Sequence, residues 1–502
     1  MQNSPKRLTK PTLDKDLDKL TRVEEATHFV SRGLVAPGIG MIFLALAMIM
    51  AGSYVIDQPG AAIIVAGAAL AAYMAMNIGA NDVANNVSPA VGSRALTMGA
   101  ALVIAAIFET LGAMIAGQNV VATISEGIIP PSSMPASTLI WAMLAALLAA
   151  AGWINIATRL GAPISTTHAI VGAVMGAGIA AAGPTSVDWA LMSGIATSWV
   201  VSPLLGGMIA ALFLFFIKET IVYRDDKIVA ARRWVPVLIG LMTGSFAAYL
   251  LISPLAHMTD LGLGQSLLIG LAAGGLVYAV SIPYIARQSI GLENRNQSLR
   301  TLFRVPLIFS AVLLSFAHGA NDVSNAIGPL AAIVHATDNL QAASGDGLPR
   351  WVMLIGAFGI AIGLLLFGPK LIDIVGKDIT KLNPMRAYCV ALSAAVTVLV
   401  ATALGMPVSS THVAVGSVFG VGFFREWYTS RSRRRLDYIR KRGGMIAVAS
   451  EEPEDYNPEE TRRRRLVRRS HFMTIIAAWI ITVPLTAMSG AIVFSILNAL
   501  FG

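Results

Sequence analysis

The chain has 502 residues, 55% of them hydrophobic and 13% charged, with a mean hydropathy of +0.69 and a formal net charge of +9. That balance excludes a soluble domain and describes a polytopic membrane protein. The single cysteine, Cys389, excludes an intrachain disulfide, a zinc site built on paired cysteines and a dithiol redox motif.

Residues 1–32 form a polar arm of mixed charge with no short apolar core of the signal-peptide kind. Windows of roughly 20 apolar residues, the length that spans a bilayer, follow near 34–56, 61–78, 97–117, 138–158, 163–182, 188–217, 234–253, 262–285, 306–330, 351–375, 387–404, 406–424 and 471–499. The expectation is therefore an all-α polytopic membrane protein with about 12–13 transmembrane segments. Of the 37 Lys and Arg residues, 30 lie in four stretches: Met1 to Arg32, Ile217 to Trp234, Arg287 to Arg304 and Arg425 to Ser470. Starting Met1 in the cytoplasm and alternating sides places all four stretches inside, as basic loops require. The positive charge thus reports orientation and contact with anionic lipid heads, and implies no nucleic-acid partner. The stretch 425–470 mixes SRSRRR, EEPEDYNPEE and TRRRR, which reads as a solvated linker, disordered or only partly helical.

Two motifs occur twice. GANDVANNVSPA at Gly79 to Ala90 returns as GANDVSNAIGPL at Gly319 to Leu330, and GAPISTTHAIVGAVMG at Gly161 to Gly176 returns as GMPVSSTHVAVGSVFG at Gly405 to Gly420. A weaker third pair sets Trp199, Pro203 and Gly207 against Trp479, Pro484 and Gly490. Alternation of sides sends the paired copies in opposite directions, so two inverted-topology repeats with broken helices and helical hairpins are expected. The parts are then an arm at 1–32, an extra helix at 33–60, the first repeat at 61–217, a two-span insert at 218–305, the main part of the second repeat at 306–424, the charged loop at 425–470, and the last helix of the second repeat at 471–502.

Asp82 and Asp322 are costly at membrane depth unless they bind a cation, share a proton or face water. A duplicated acidic interruption of two apolar segments points to a transporter site. Gly, Asn and Asp there predict a break that frees backbone carbonyls, so Asn81, Asp82, Asn85, Asn321, Asp322 and Asn325 are the expected ligands of Na⁺ or, through Asp, carriers of H⁺. Ser165, Thr166 and Thr167, with Ser409, Ser410 and Thr411, stand at expected helix N-termini, where amides and hydroxyls suit an anion; ordinary N-capping is the plainer role. Packing is the expected role of His168 and His412, close helix approach that of Gly172, Gly176, Gly416 and Gly420, snorkelling that of Arg94. Glu109, inside an apolar span, joins the expected ion path.

On GANDVANN, GANDVSNA, STTH and SSTH the sequence resembles the inorganic phosphate transporter (PiT) family, over roughly 61–217 and 306–499. The resemblance implies a secondary symporter that moves inorganic phosphate with Na⁺ or H⁺ across the cell (inner) membrane. It carries the cation and phosphate site to Asn81, Asp82, Asn321 and Asp322, and the phosphate cradle to Ser165, Thr166, Thr167, Ser409, Ser410 and Thr411. Asn86, where the family motif often has Ala, departs from the pattern. No cofactor beyond a bound Na⁺ is expected, and a homodimer stays open. The alternatives are a sulfate permease and, from another class, a membrane-embedded enzyme on a phosphorylated lipid using Asp82 as nucleophile and His168 as base; no nucleotide-binding loop or other catalytic motif supports the latter.

Overall fold

The computed structural model describes residues 34–58, 60–160, 164–340, 348–378, 383–432, 434, 438 and 469–501. The N-terminal arm and most of the 425–470 loop lie outside them. Among the described residues there is no strand, and thirteen long helices carry the fold: α1 (Leu34–Val55), α2 (Ala61–Gly92), α3 (Met98–Ala116), α4 (Ala136–Leu160), α5 (Thr166–Ala182), α6 (Trp189–Ile217), α7 (Lys227–Ile252), α8 (Leu263–Gln288), α9 (Arg304–Leu340), α10 (Arg350–Asp378), α11 (Pro384–Ala403), α12 (Ser410–Arg431) and α13 (Arg469–Phe501).

Eleven helices among the described residues are long and apolar enough to cross a membrane, fewer than the thirteen windows. The two that drop out are α5 and α12. At about 1.5 Å rise per residue, the 17 residues of α5 fall short of a hydrocarbon core, and α12 begins with a run of polar residues and ends in Arg425, Glu426 and Arg431. Each is the second limb of a hairpin, after α4 and α11 respectively. Capping residues mark many of the helix starts: the side chains of Thr97, Ser165, Asp188, Asp226, Asn383 and Ser409 accept from backbone N–H groups of the first turns of α3, α5, α6, α7, α11 and α12.

Both GANDV motifs lie within continuous helix, in α2 and α9, so the expected break is absent. The motif glycine serves close packing instead. A Cβ on Gly79 would strike the backbone carbonyl of Ile360 in α10, and one on Gly319 the carbonyl of Glu109 in α3. The partner glycines agree, because a Cβ on Gly363 would meet Met76 and one on Gly112 would meet Phe316. Small residues let the backbones touch where no hydrophobic force drives helices together in lipid.

Packing repeats in matched pairs. α2 packs on α10 as α9 packs on α3, and α5 packs on α13 as α12 packs on α6. The paired glycines fulfil their expected role here: Gly172 and Gly176 abut Val483 and Ala487 of α13, while Gly416 and Gly420 abut Pro203 and Gly207 of α6. α7 and α8 pack against each other through Gly240, Gly244, Gly270 and Gly274. Large apolar residues such as Leu267, Leu268, Leu271, Leu276 and Val280 of α8 point outward, while Ser266, Gly270, Gly274 and Ser281 are buried. That arrangement suits a lipid solvent, with polar groups gathered inside.

Candidate functional site

α2 and α9 present their motif side chains to the tips of the two hairpins. Asp82 and Asp322 are each 1% exposed, deep enough that each oxygen needs a partner. Thr166 donates to Asp82 Oδ2 at 2.8 Å, and Thr411 and Asn81 donate to Asp82 Oδ1 at 3.0 and 3.1 Å. In the second copy Ser410 donates to Asp322 Oδ2 at 2.8 Å. Each Asp is thus met by the residue one past the N-cap of its own half's hairpin tip.

The second Asn of each motif reaches across to the other half. Asn85 donates to Thr411 Oγ1 at 2.8 Å and Asn325 to Thr167 Oγ1 at 3.1 Å. Thr167 in turn donates to the carbonyl of Val408 at 3.1 Å, so the two tips touch. The first Asn holds loop backbone: Asn81 lies 3.5 Å from the carbonyl of Ile164, and Asn321 donates to Met406 O and Thr402 Oγ1 while accepting from Val408 N. All twelve residues expected at the site from sequence therefore fall in one cluster.

Their division of labour differs from the expectation. Ser165 and Ser409 are N-caps, accepting from His168 N at 3.1 Å and His412 N at 3.3 Å. Thr166, Ser410 and Thr411 spend their hydroxyl hydrogens on carboxylates rather than standing clear as an anion cradle. The physical reason is charge: a buried carboxylate is the strongest acceptor within reach.

One residue of the site is absent from the sequence reading. His318 sits one position before the second motif, and its Nδ1 lies 3.0 Å from Glu109 Oε1 and its Nε2 3.0 Å from Asp322 Oδ2, all three residues being fully or almost fully buried. Asn86 donates to the same Glu109 oxygen at 2.8 Å, which gives this departure from the family motif a definite partner. Glu109, placed on the ion path from sequence, is therefore joined to Asp322 through His318. The available signal was an i, i+4 His–Asp pair on an apolar helix, but Ile78 occupies the matching position of the first copy.

Ligand atoms of Asp82, His318 and Asp322 all lie within 4.8 Å of one another. Asp322 Oδ1, Glu109 Oε2, Asn86 Oδ1 and Asn325 Oδ1 are buried without a hydrogen-bond partner. Orphaned oxygens beside two close carboxylates suit a hard cation or a proton, since buried like charges are costly without compensation. The His168 ring lies tilted against Trp199 with centroids 3.9 Å apart and meets His412 edge-on at 4.4 Å. These are the packing roles expected for both histidines.

Comparison with known proteins agrees. The model of the phosphate transporter family matches residues 78–490. A protein of Helicobacter pylori strain J99 is 41% identical over 95% of this chain and 98% of its own length, and one of Pyrococcus abyssi is 37% identical over 84% of this chain and 95% of its own; both are named "Putative phosphate permease". A solved structure entitled "The sodium-dependent phosphate transporter" superposes with a TM-score of 0.75 at 32% identity, covering 88% of this chain and 100% of that one. The chain is a multi-pass membrane protein of the transporter class, not an enzyme, and it belongs to the phosphate transporter family.

Proposed function

We propose that the protein is a secondary symporter that moves inorganic phosphate across the cell membrane together with Na⁺ or H⁺. The observation that carries this reading is the meeting of Asp82 and Asp322 with hydroxyl-bearing tips of two hairpins, one from each half. Phosphate of charge −1 or −2 entering a cell with a negative interior climbs by about 2.3 kcal/mol per charge per 100 mV. The cation supplies that work and neutralises the carboxylates as the anion arrives. Asp82, Asp322, Asn81, Asn85, Asn321 and Asn325 hold the cation, with Glu109 and His318 extending its path.

Phosphate binding then requires the hydroxyls of Thr166, Ser410 and Thr411 to turn from the carboxylates, and that of Thr167 from the Val408 carbonyl, to the anion, beside the helix N-termini capped by Ser165 and Ser409. A cation on the Asp oxygens releases those donors, which makes loading of the two substrates mutually favourable. The duplicated motifs and matched helix pairs fit an inverted repeat whose halves rock about this centre, with Met1 and the 425–470 loop in the cytoplasm. The test is uptake by purified protein in liposomes, offering labelled phosphate and labelled sulfate separately under imposed Na⁺ and H⁺ gradients. Phosphate accumulation driven by one of the two gradients is the expected result. Accumulation of sulfate alone, or transport indifferent to both gradients, contradicts it.

A further inference from the structure

A cavity of about 390 Å³ opens where α2 ends and α9 begins, lined among others by Ser93, Arg94, Arg300, Thr301, Arg304 and Asn383. Among the described residues that line it, three are arginines and none is acidic. Among the described residues no carboxylate forms an ion pair with any of the three. A fourth and a fifth arginine add to the same field, since Arg386 in the first turn of α11 has Arg300 and Arg425 as charged neighbours. Like charges gathered together repel one another, and a concave wall focuses their potential into the cavity.

One of these side chains, that of Arg304, is held by neighbouring backbone. Arg304 Nε donates to the carbonyl of Ala95 at 3.0 Å, tying the start of α9 to the segment that follows α2. Arg94, which also lines the cavity, takes a left-handed backbone conformation with φ 61, uncommon outside glycine.

We propose that this cavity is a second anion site, separate from the paired aspartates, which takes a tetrahedral phosphoryl group. Guanidinium forks match phosphoryl oxygens in pairs. Basic pockets between membrane helices suit phosphorylated head groups, and the volume lies within the roughly 300–1,000 Å³ of ligand-holding clefts. Free phosphate and the head group of an anionic phospholipid share this chemistry. Either would bridge α2, which carries Asp82, to α9, which carries Asp322, so its occupancy biases the relative placement of the two site-bearing helices. The binding itself does not depend on the proposed symport.

The test uses the full chain in nanodiscs with Arg94→Gln and Arg300→Gln, singly and together; Arg304 is left intact because it holds Ala95. Labelled inorganic phosphate is titrated in phosphatidylcholine discs, and retention of labelled phosphatidylglycerol is measured in mixed discs. Each exposed guanidinium is expected to contribute about threefold to affinity, so the double variant should bind at least one of the two ligands about tenfold more weakly. Loss of phosphate binding in phosphatidylcholine identifies the free anion, and loss confined to phosphatidylglycerol identifies the head group. A Thr166→Ala, Ser410→Ala variant should retain this binding, which separates it from the central site. The single variants decide the matter if the double variant does not fold. Unchanged affinity of both ligands in the arginine variants would overturn the proposal.

Discussion

Asp82 and Asp322 carry the same chemistry in unequal surroundings. Asp82 accepts from Thr166, Thr411 and Asn81, whereas Asp322 accepts from Ser410, touches His318, and keeps Oδ1 without a donor. With that oxygen free to take a donor or a cation, the second half holds the adaptable end of the cluster. The hydroxyls of Thr166, Ser410 and Thr411 have two claims on them in the proposed cycle, the carboxylates when unloaded and phosphate when loaded, and that of Thr167 has the Val408 carbonyl and phosphate. Replacing Thr166 and Thr167, or Ser410 and Thr411, by Ala should raise the phosphate KM at least tenfold with folded protein retained. Hydrogen bonds to charged groups are worth roughly 1.5–3 kcal/mol each, and about 1.4 kcal/mol is tenfold. An unchanged KM in both double variants, read from initial uptake rates, would restrict these hydroxyls to supporting the carboxylates. Repetition made all twelve expected site side chains recognisable as six pairs of like position, down to Asn81 and Asn321. His318 escaped because its importance rests on a contact with Glu109, 209 positions earlier in the chain, and nothing local to either residue reports it.

Among elements, the decisive feature is that α2 and α9 stay whole through their motifs. A Gly-Ala-Asn-Asp sequence is compatible with a helix break or with a close helix crossing, because glycine serves both. Only the neighbouring backbone decides between them, and Ile360 and Glu109 supply it. Gly79→Val and Gly319→Val should therefore sharply reduce the monodisperse protein recovered by size exclusion, since overpacking costs about 1–3 kcal/mol or more. Gly275→Ala in α8, where an added Cβ meets nothing within 4 Å, should leave recovery unchanged or improved. Equal recovery of all three variants would mean that the crossings at Gly79 and Gly319 are not tight. The surplus of expected spans has a similar origin: a window of apolar residues does not distinguish a full crossing from a hairpin limb that stops at a polar tip. The SSTH and STTH turns were the visible sign of those tips, and Ser165 and Ser409 cap the helices that follow.

At the scale of the molecule, matched packing in the two halves converges on one point, where the tips of the α4–α5 and α11–α12 hairpins touch. Symmetry of this kind gives a transporter two related ways to arrange the same parts. In the proposed orientation, with the basic loops in the cytoplasm, a cysteine placed at Ser450, with Cys389 replaced, should resist an impermeant thiol reagent in intact cells; ready labelling would reverse the topology. The central claim is that the paired aspartates couple the cation to phosphate. Its most direct measurement is phosphate uptake into liposomes against a phosphate gradient by Asp82→Asn and Asp322→Asn, under the cation gradient that drives the wild type. Both variants should fold and bind detergent or lipid normally, yet fail to concentrate phosphate. Concentrative uptake by either one, with the ion dependence of the wild type, would contradict the account.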